Sequence, residues 1–150
     1  MGSGAVVVRC LLLGAAAGSR SSLGVAAPVL TARTPEDGTR SRTTRSGQVL
    51  ALLGVLGELV GDKLPRTPSR LDPPGPVLRA GSGASGGVLL ARRAHASPYL
   101  PALAGVAGAL AGIYGGAAWR AWADARTADW KPAVAEDVVA VGLACLAVRT

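Results

Sequence analysis

The sequence predicts an all-α protein, a polytopic helical membrane bundle of about five short Gly- and Ala-rich transmembrane helices in one domain of 150 residues. Three observations predict it. Hydrophobic residues make up 49% of the chain and charged residues 17%, where a soluble domain carries about 25% charge. The apolar mass is Ala, Val, Leu and Gly: Phe is absent, Ile113 is the sole Ile and Met1 the sole Met. Such a composition suits helices packed closely in lipid and is too apolar for a disordered chain. Finally, residues 94–119 carry no formal charge unless His95 is protonated, a stretch longer than the ~20 residues needed to cross a bilayer.

Residues 5–32 are the first span, interrupted by Arg9 and Arg20 and therefore either one tilted segment or a broken one. Residues 33–46 hold Pro35, Asp37-Gly38 and four Arg, the signature of a loop. The second span, residues 47–64, ends before Pro65. Residues 65–76 contain five prolines and cannot form a regular helix. The third span, residues 77–94, is rich in Gly and Ser, with Arg79 at one end and Arg92 and Arg93 at the other. Residues 98–119 are the clearest span, entered through Pro98 and Pro101 and bracketed by Tyr99 and Trp119. Trp122 and Trp130 follow in the loop 120–131, so three aromatics gather at one expected interface. The fifth span, residues 132–148, places Pro132 at a first helical position.

The start of the chain has the single basic residue, short apolar run and small residues of a signal peptide, but apolar sequence resumes at Leu23. It is therefore read as the first span. Cys10 and Cys145 stand alone in apolar runs, fit no zinc spacing, and are expected to be small buried hydrophobes. With five spans, seven Lys and Arg fall on each side, so charge asymmetry assigns no orientation.

The candidate polar intramembrane site is Arg20, Glu58, Asp62, Glu136 and Asp137. Glu58 and Asp62 are four apart and share a helix face. Carboxylates inside a span cost about 2.5–3.5 kcal/mol near its centre and mark an ion, proton or head-group site or a structural ion pair, here with Arg20. Glu136 and Asp137 lie one turn into the last helix, where the positive end of the helix dipole favours them. Lys63, Arg66 and Arg70, with Thr67 and Ser69, are candidate anion or head-group contacts. Gly108, Gly112 and Gly116 recur every four residues and predict close helix packing, within the chain or in a homo-oligomer. No phosphate loop, cofactor motif or catalytic partner for His95 is present in the sequence. The net charge of +7 is spread over loops without aromatic interleaving, which argues against nucleic acid.

Spans one and two weakly resemble spans four and five, and an offset of three spans would make the copies inverted, as in transporters. The stretches GELVGDKLPRTPSRLDPPGPVLR (residues 57–79), AAAGSRSSL (15–23) and EDVVAVG (136–142) resemble the small bacterial membrane proteins grouped as domain of unknown function 4126. That resemblance implies a short multi-pass protein of the bacterial inner membrane, points to Arg20, Glu58, Asp62, Lys63 and Pro65, and implies no reaction. A preference of 14 Arg to 2 Lys suggests a GC-rich bacterial genome. The leading functional expectation is a small transporter or ion pathway. The alternatives are an enzyme acting on a phospholipid or polyprenyl phosphate, and a non-catalytic membrane assembly or scaffold protein.

Overall fold

A computed structural model describes residues 3–32, 42–61, 71–126 and 130–149. These residues form six α-helices and no strand: α1 Ser3–Ser19, α2 Leu23–Leu30, α3 Arg42–Gly61, α4 Gly75–Arg93, α5 Tyr99–Asp124 and α6 Trp130–Val148. Three expected loops are thus shorter than their sequence suggests. α3 begins within 33–46, α4 at the end of 65–76, and α5 runs into 120–131. Pro132 sits third in α6 instead of first, still within the turn whose N–H groups have no helical partner. Residues 62–70, which contain Asp62, Lys63, Arg66 and Arg70, lie outside the described residues.

Of the two expectations for the first apolar stretch, the broken one holds: it is interrupted at Arg20–Ser22, between α1 and α2. α1 runs antiparallel to α4: Arg79 donates to the Gly18 and Ser19 carbonyls, and the Cys10 thiol lies against the Gly87 carbonyl. α2 runs parallel to α4, since Ser82 bonds Ser21 while Arg93 bonds Pro28. The chain therefore reverses at Arg20–Ser22, and α1 and α2 make a helical hairpin. α3 ascends beside α2, with Gly47 near Val29 and Glu58 at Ser21 and Ser22. α6 descends beside α1, with Asp137 on Arg20 and the Ala147 carbonyl on Arg9. The direction alternates through all six helices. α1 and α5 are consequently parallel, which removes the inverted repeat expected from matching the first span with the fourth.

Glycine sets the α1–α5 contact. A Cβ on Gly14 would strike the Gly105 carbonyl, one on Gly18 the Ala109 carbonyl, and one on Gly108 or Gly112 the carbonyls of Leu11 and Ala15. Only the absence of side chains lets these backbones approach so closely. Gly83 and Gly105 meet in the same way between α4 and α5. The face of α5 carrying Gly108 and Gly112 is filled from within the chain, and Gly116 lies half-buried beyond it.

Burial runs opposite to the pattern of a water-soluble core. The buried set is mostly small, with Ala16, Ala17, Ala109, Ala140 and Ala144 alongside Leu13 and Ile113, and it includes Arg20, Arg79 and Glu136. Large apolar side chains face out: Leu50 is 68% exposed, Val77 74%, Leu103 67% and Val138 66%. Cys10 is fully buried, but α6 turns Ala140, Ala144 and Ala147 inward and leaves Cys145 exposed, contrary to expectation. Among the described helices, Tyr99–Ala123 alone is long and apolar enough to cross a membrane, so five such spans are not what the helices present. α1 and α2 are apolar but have 17 and 8 residues, while α3, α4 and α6 are diluted by charged and polar residues.

Candidate functional site: a charged cluster around a buried helical turn

The sequence GSRSS (residues 18–22) forces the reversal. Gly18 admits the close approach of α5, and the short polar residues after it favour a turn over continued helix. Such a turn exposes the last carbonyls of α1 and the first N–H groups of α2, and buried groups of this kind require partners. α5 continues from Ile113, level with Gly18, to Asp124, roughly 16 Å further at ~1.5 Å per residue. α5 therefore extends well beyond the level of the turn.

Some are met locally, the Arg20 N–H bonding the Ala16 carbonyl and the Leu23 N–H the Arg20 carbonyl; side chains of other helices meet several of the rest. At the negative end of α1, Arg79 donates from Nη1 to the Gly18 carbonyl at 2.9 Å and the Ser19 carbonyl at 2.7 Å. At the positive end of α2, Glu58 accepts four bonds. Its Oε1 takes the Ser21 N–H at 2.6 Å and hydroxyl at 2.8 Å; its Oε2 takes the Ser22 N–H at 2.8 Å and hydroxyl at 2.6 Å. Each charge thus sits at the dipole end that stabilises it. The two are themselves an ion pair, with Arg79 Nη2 3.8 Å from Glu58 Oε1. Ser82 donates its hydroxyl to the Ser21 carbonyl. Ser22 precedes α2 but does not cap it with its own side chain; Glu58 does so instead.

Arg20 projects toward α6 and donates from Nε to Asp137 at 2.9 Å, with Nη2 on the same oxygen. One residue earlier, Glu136 accepts from Arg120 Nε of α5 at 3.1 Å. The predicted residues Arg20, Glu58, Asp137 and Glu136 are therefore all engaged at this end of the bundle. Arg20 is matched with Asp137, on a helix remote in sequence, and Glu58 with the turn and Arg79. Sequence reasoning missed Arg79, Ser21, Ser22 and Ser82. A usable signal existed: an Arg placed one turn inside a helix and followed by the small-residue run 80–87 needs a buried acceptor.

Arginine caps other helices as well. Arg9 donates to the Ala147 carbonyl at the end of α6 at 2.6 Å, Arg93 to the Pro28 carbonyl of α2, and Arg126 to the Trp122 carbonyl of α5 at 2.8 Å. A forked, permanently charged donor suits helix C-termini in apolar surroundings better than an ammonium.

Among the described residues no buried side-chain nitrogen or oxygen lacks a partner. A cavity of about 30 Å³ lies beside Arg20, Ser22 and Asp137, room for a single water. No group of three metal-ligating side chains gathers among the described residues. Comparison with protein-family models, with curated proteins and with solved structures finds no match to this chain.

Proposed function

We propose that this chain is a multi-pass protein of a bacterial inner membrane, of the kind the resemblance implies, and that it serves as a non-catalytic membrane scaffold. The single observation that carries the reading is the inverted burial: Arg20, Arg79, Glu136 and mostly small residues inside, many Leu and Val outside. Contiguous apolar surface of this extent is foreign to a soluble monomer. In the Tyr99–Ala123 span only 33% of the most apolar window is buried, whereas the core helix of a soluble protein is mostly covered. α3, α4 and α6 have 20, 19 and 19 residues, about 30 Å each and enough for the hydrocarbon layer. The charges Glu58, Arg79, Glu136 and Asp137, which dilute these helices, are all ion-paired. The exposed Trp119 and Trp122 stack at 5.3 Å between ring centroids, with Arg126 4.5 Å from the Trp122 centroid, an arrangement suited to the membrane–water boundary.

In this setting the α1–α2 hairpin is a re-entrant element. Non-helical backbone at membrane depth is tolerated only where protein satisfies it, and the charged cluster meets that need. The full occupancy of Glu58 and the one-water cavity support a lock in preference to an ion pathway or a lipid-processing centre. A second reading, transport from an occluded state, has one observation in its favour: the small cavity lies at a helix break, where transporters coordinate ions. Proteoliposomes carrying a pH gradient and a proton-sensitive dye distinguish the two. The scaffold reading predicts proton flux equal to protein-free liposomes, for wild type and Glu58→Gln alike. Flux above that level which Glu58→Gln abolishes overturns it in favour of transport.

A further inference from the structure

At the opposite end of the molecule from the charged cluster, α2 stops after 8 residues, and a groove of about 410 Å³ opens between its end, the start of α3 and the end of α4. That volume lies within the ~300–1,000 Å³ of small-molecule sites. The floor is apolar, formed by Pro28, Val29, Leu89 and the bare backbone of Gly47, and the mouth carries Arg92 and Arg93. No acidic residue lines it among the described residues.

The two arginines are not equivalent. Arg93 donates to the Pro28 carbonyl and to the Thr31 hydroxyl at 3.2 Å, and so is committed to closing α2. Arg92 is exposed and has no partner among the described residues. Arg45, also exposed, stands just before Gly47 on α3. An apolar trough with one uncommitted guanidinium at its rim, and no carboxylate among the described residues that line it, is complementary to an acyl chain ending in a phosphate.

We infer that this groove binds an anionic phospholipid, with an acyl chain against Pro28, Val29 and Leu89 and the phosphodiester on Arg92. The inference rests on the membrane reading above. It goes beyond that reading by assigning a specific lipid site, at the end of the bundle opposite the charged cluster.

Native mass spectrometry of the detergent-purified full chain, titrated with dioleoyl phosphatidylglycerol, dioleoyl phosphatidylcholine or glycerol phosphate, tests it. The phosphatidylglycerol complex is expected to be about tenfold tighter than the phosphatidylcholine complex, because both lipids carry the phosphodiester but phosphatidylcholine adds a quaternary ammonium that Arg92 repels. Arg92→Gln should abolish that preference. Gly47→Leu, at a position where a Cβ makes only ordinary contact with Val29 at 4.0 Å, should fill the trough and weaken both lipids. Equal affinity for the two lipids in wild type, or a preference that survives Arg92→Gln, overturns the inference. Competition by glycerol phosphate as effective as by the lipid also overturns it, since the site would then be one for a free anion. A chain that needs detergent yet shows no preference fails here alone; a chain monodisperse without detergent fails both readings.

Discussion

Arg79→Leu is expected to destabilise the fold by about 3–5 kcal/mol, the range seen when one partner of a buried charge pair is removed. Three acceptors lose their donor at once: the Gly18 carbonyl, the Ser19 carbonyl and, in part, the Glu58 carboxylate. The first two are the terminal carbonyls of α1, and no chain follows helically to satisfy them. The turn is buried, so water cannot replace the donor, and the cost exceeds that of an exposed cap. Arg79→Lys should fall between wild type and Arg79→Leu, because an ammonium restores the charge but not the two-pronged geometry. Reversible denaturant titration in mixed micelles, followed by tryptophan fluorescence, measures the series. If Arg79→Leu unfolds with wild type, the turn is not held by this contact.

Gly14→Val and Gly108→Leu should be at least as damaging, for a steric reason. At Gly14 the obstacle is the Gly105 carbonyl and at Gly108 the Leu11 carbonyl, and backbone cannot rotate away as a side chain can. Ordinary overpacking costs about 1–3 kcal/mol; here α1 and α5 must separate, and the hairpin loses the wall it packs on. The expected outcome is failure to recover folded protein, or a loss beyond that range. Gly115→Ala is the matched control on the same helix. Nothing lies within 4 Å of a Cβ there, and exchanging Gly for Ala inside a helix should leave stability unchanged or raise it by about 0.5–1 kcal/mol. Equal behaviour of Gly14→Val and Gly115→Ala would mean that α1 and α5 do not pack as described.

Much of this was legible from residue types alone. Helical class followed from the Ala, Leu and Gly content, α5 from its uncharged run, and the packing role of Gly108 and Gly112 from their spacing. The acidic pair on α6 and the carboxylate on α3 were recognisable because charge is costly in such surroundings. What remained hidden was tertiary. Hydropathy treats residues 5–32 as one apolar stretch because α2 is as apolar as α1, so the reversal between them leaves no trace except GSRSS. Arg79 was hidden by its position near the start of a helix, where a positive charge ordinarily reads as an end marker. Its partners, Gly18 and Ser19, lie some sixty residues away and contribute backbone carbonyls, which sequence does not distinguish. The abundance of Arg over Lys has a structural component beyond genome composition, since four helix C-termini are held by guanidinium groups.

Analytical ultracentrifugation of the purified chain, before and after removal of detergent, tests the central claim most directly. A protein that buries Arg20, Arg79 and Glu136 and displays Leu50, Val77, Leu103 and Val138 should sediment as one micelle-bound species and aggregate once the micelle is withdrawn. A single narrow boundary in detergent-free buffer, with native helicity retained, would contradict the account.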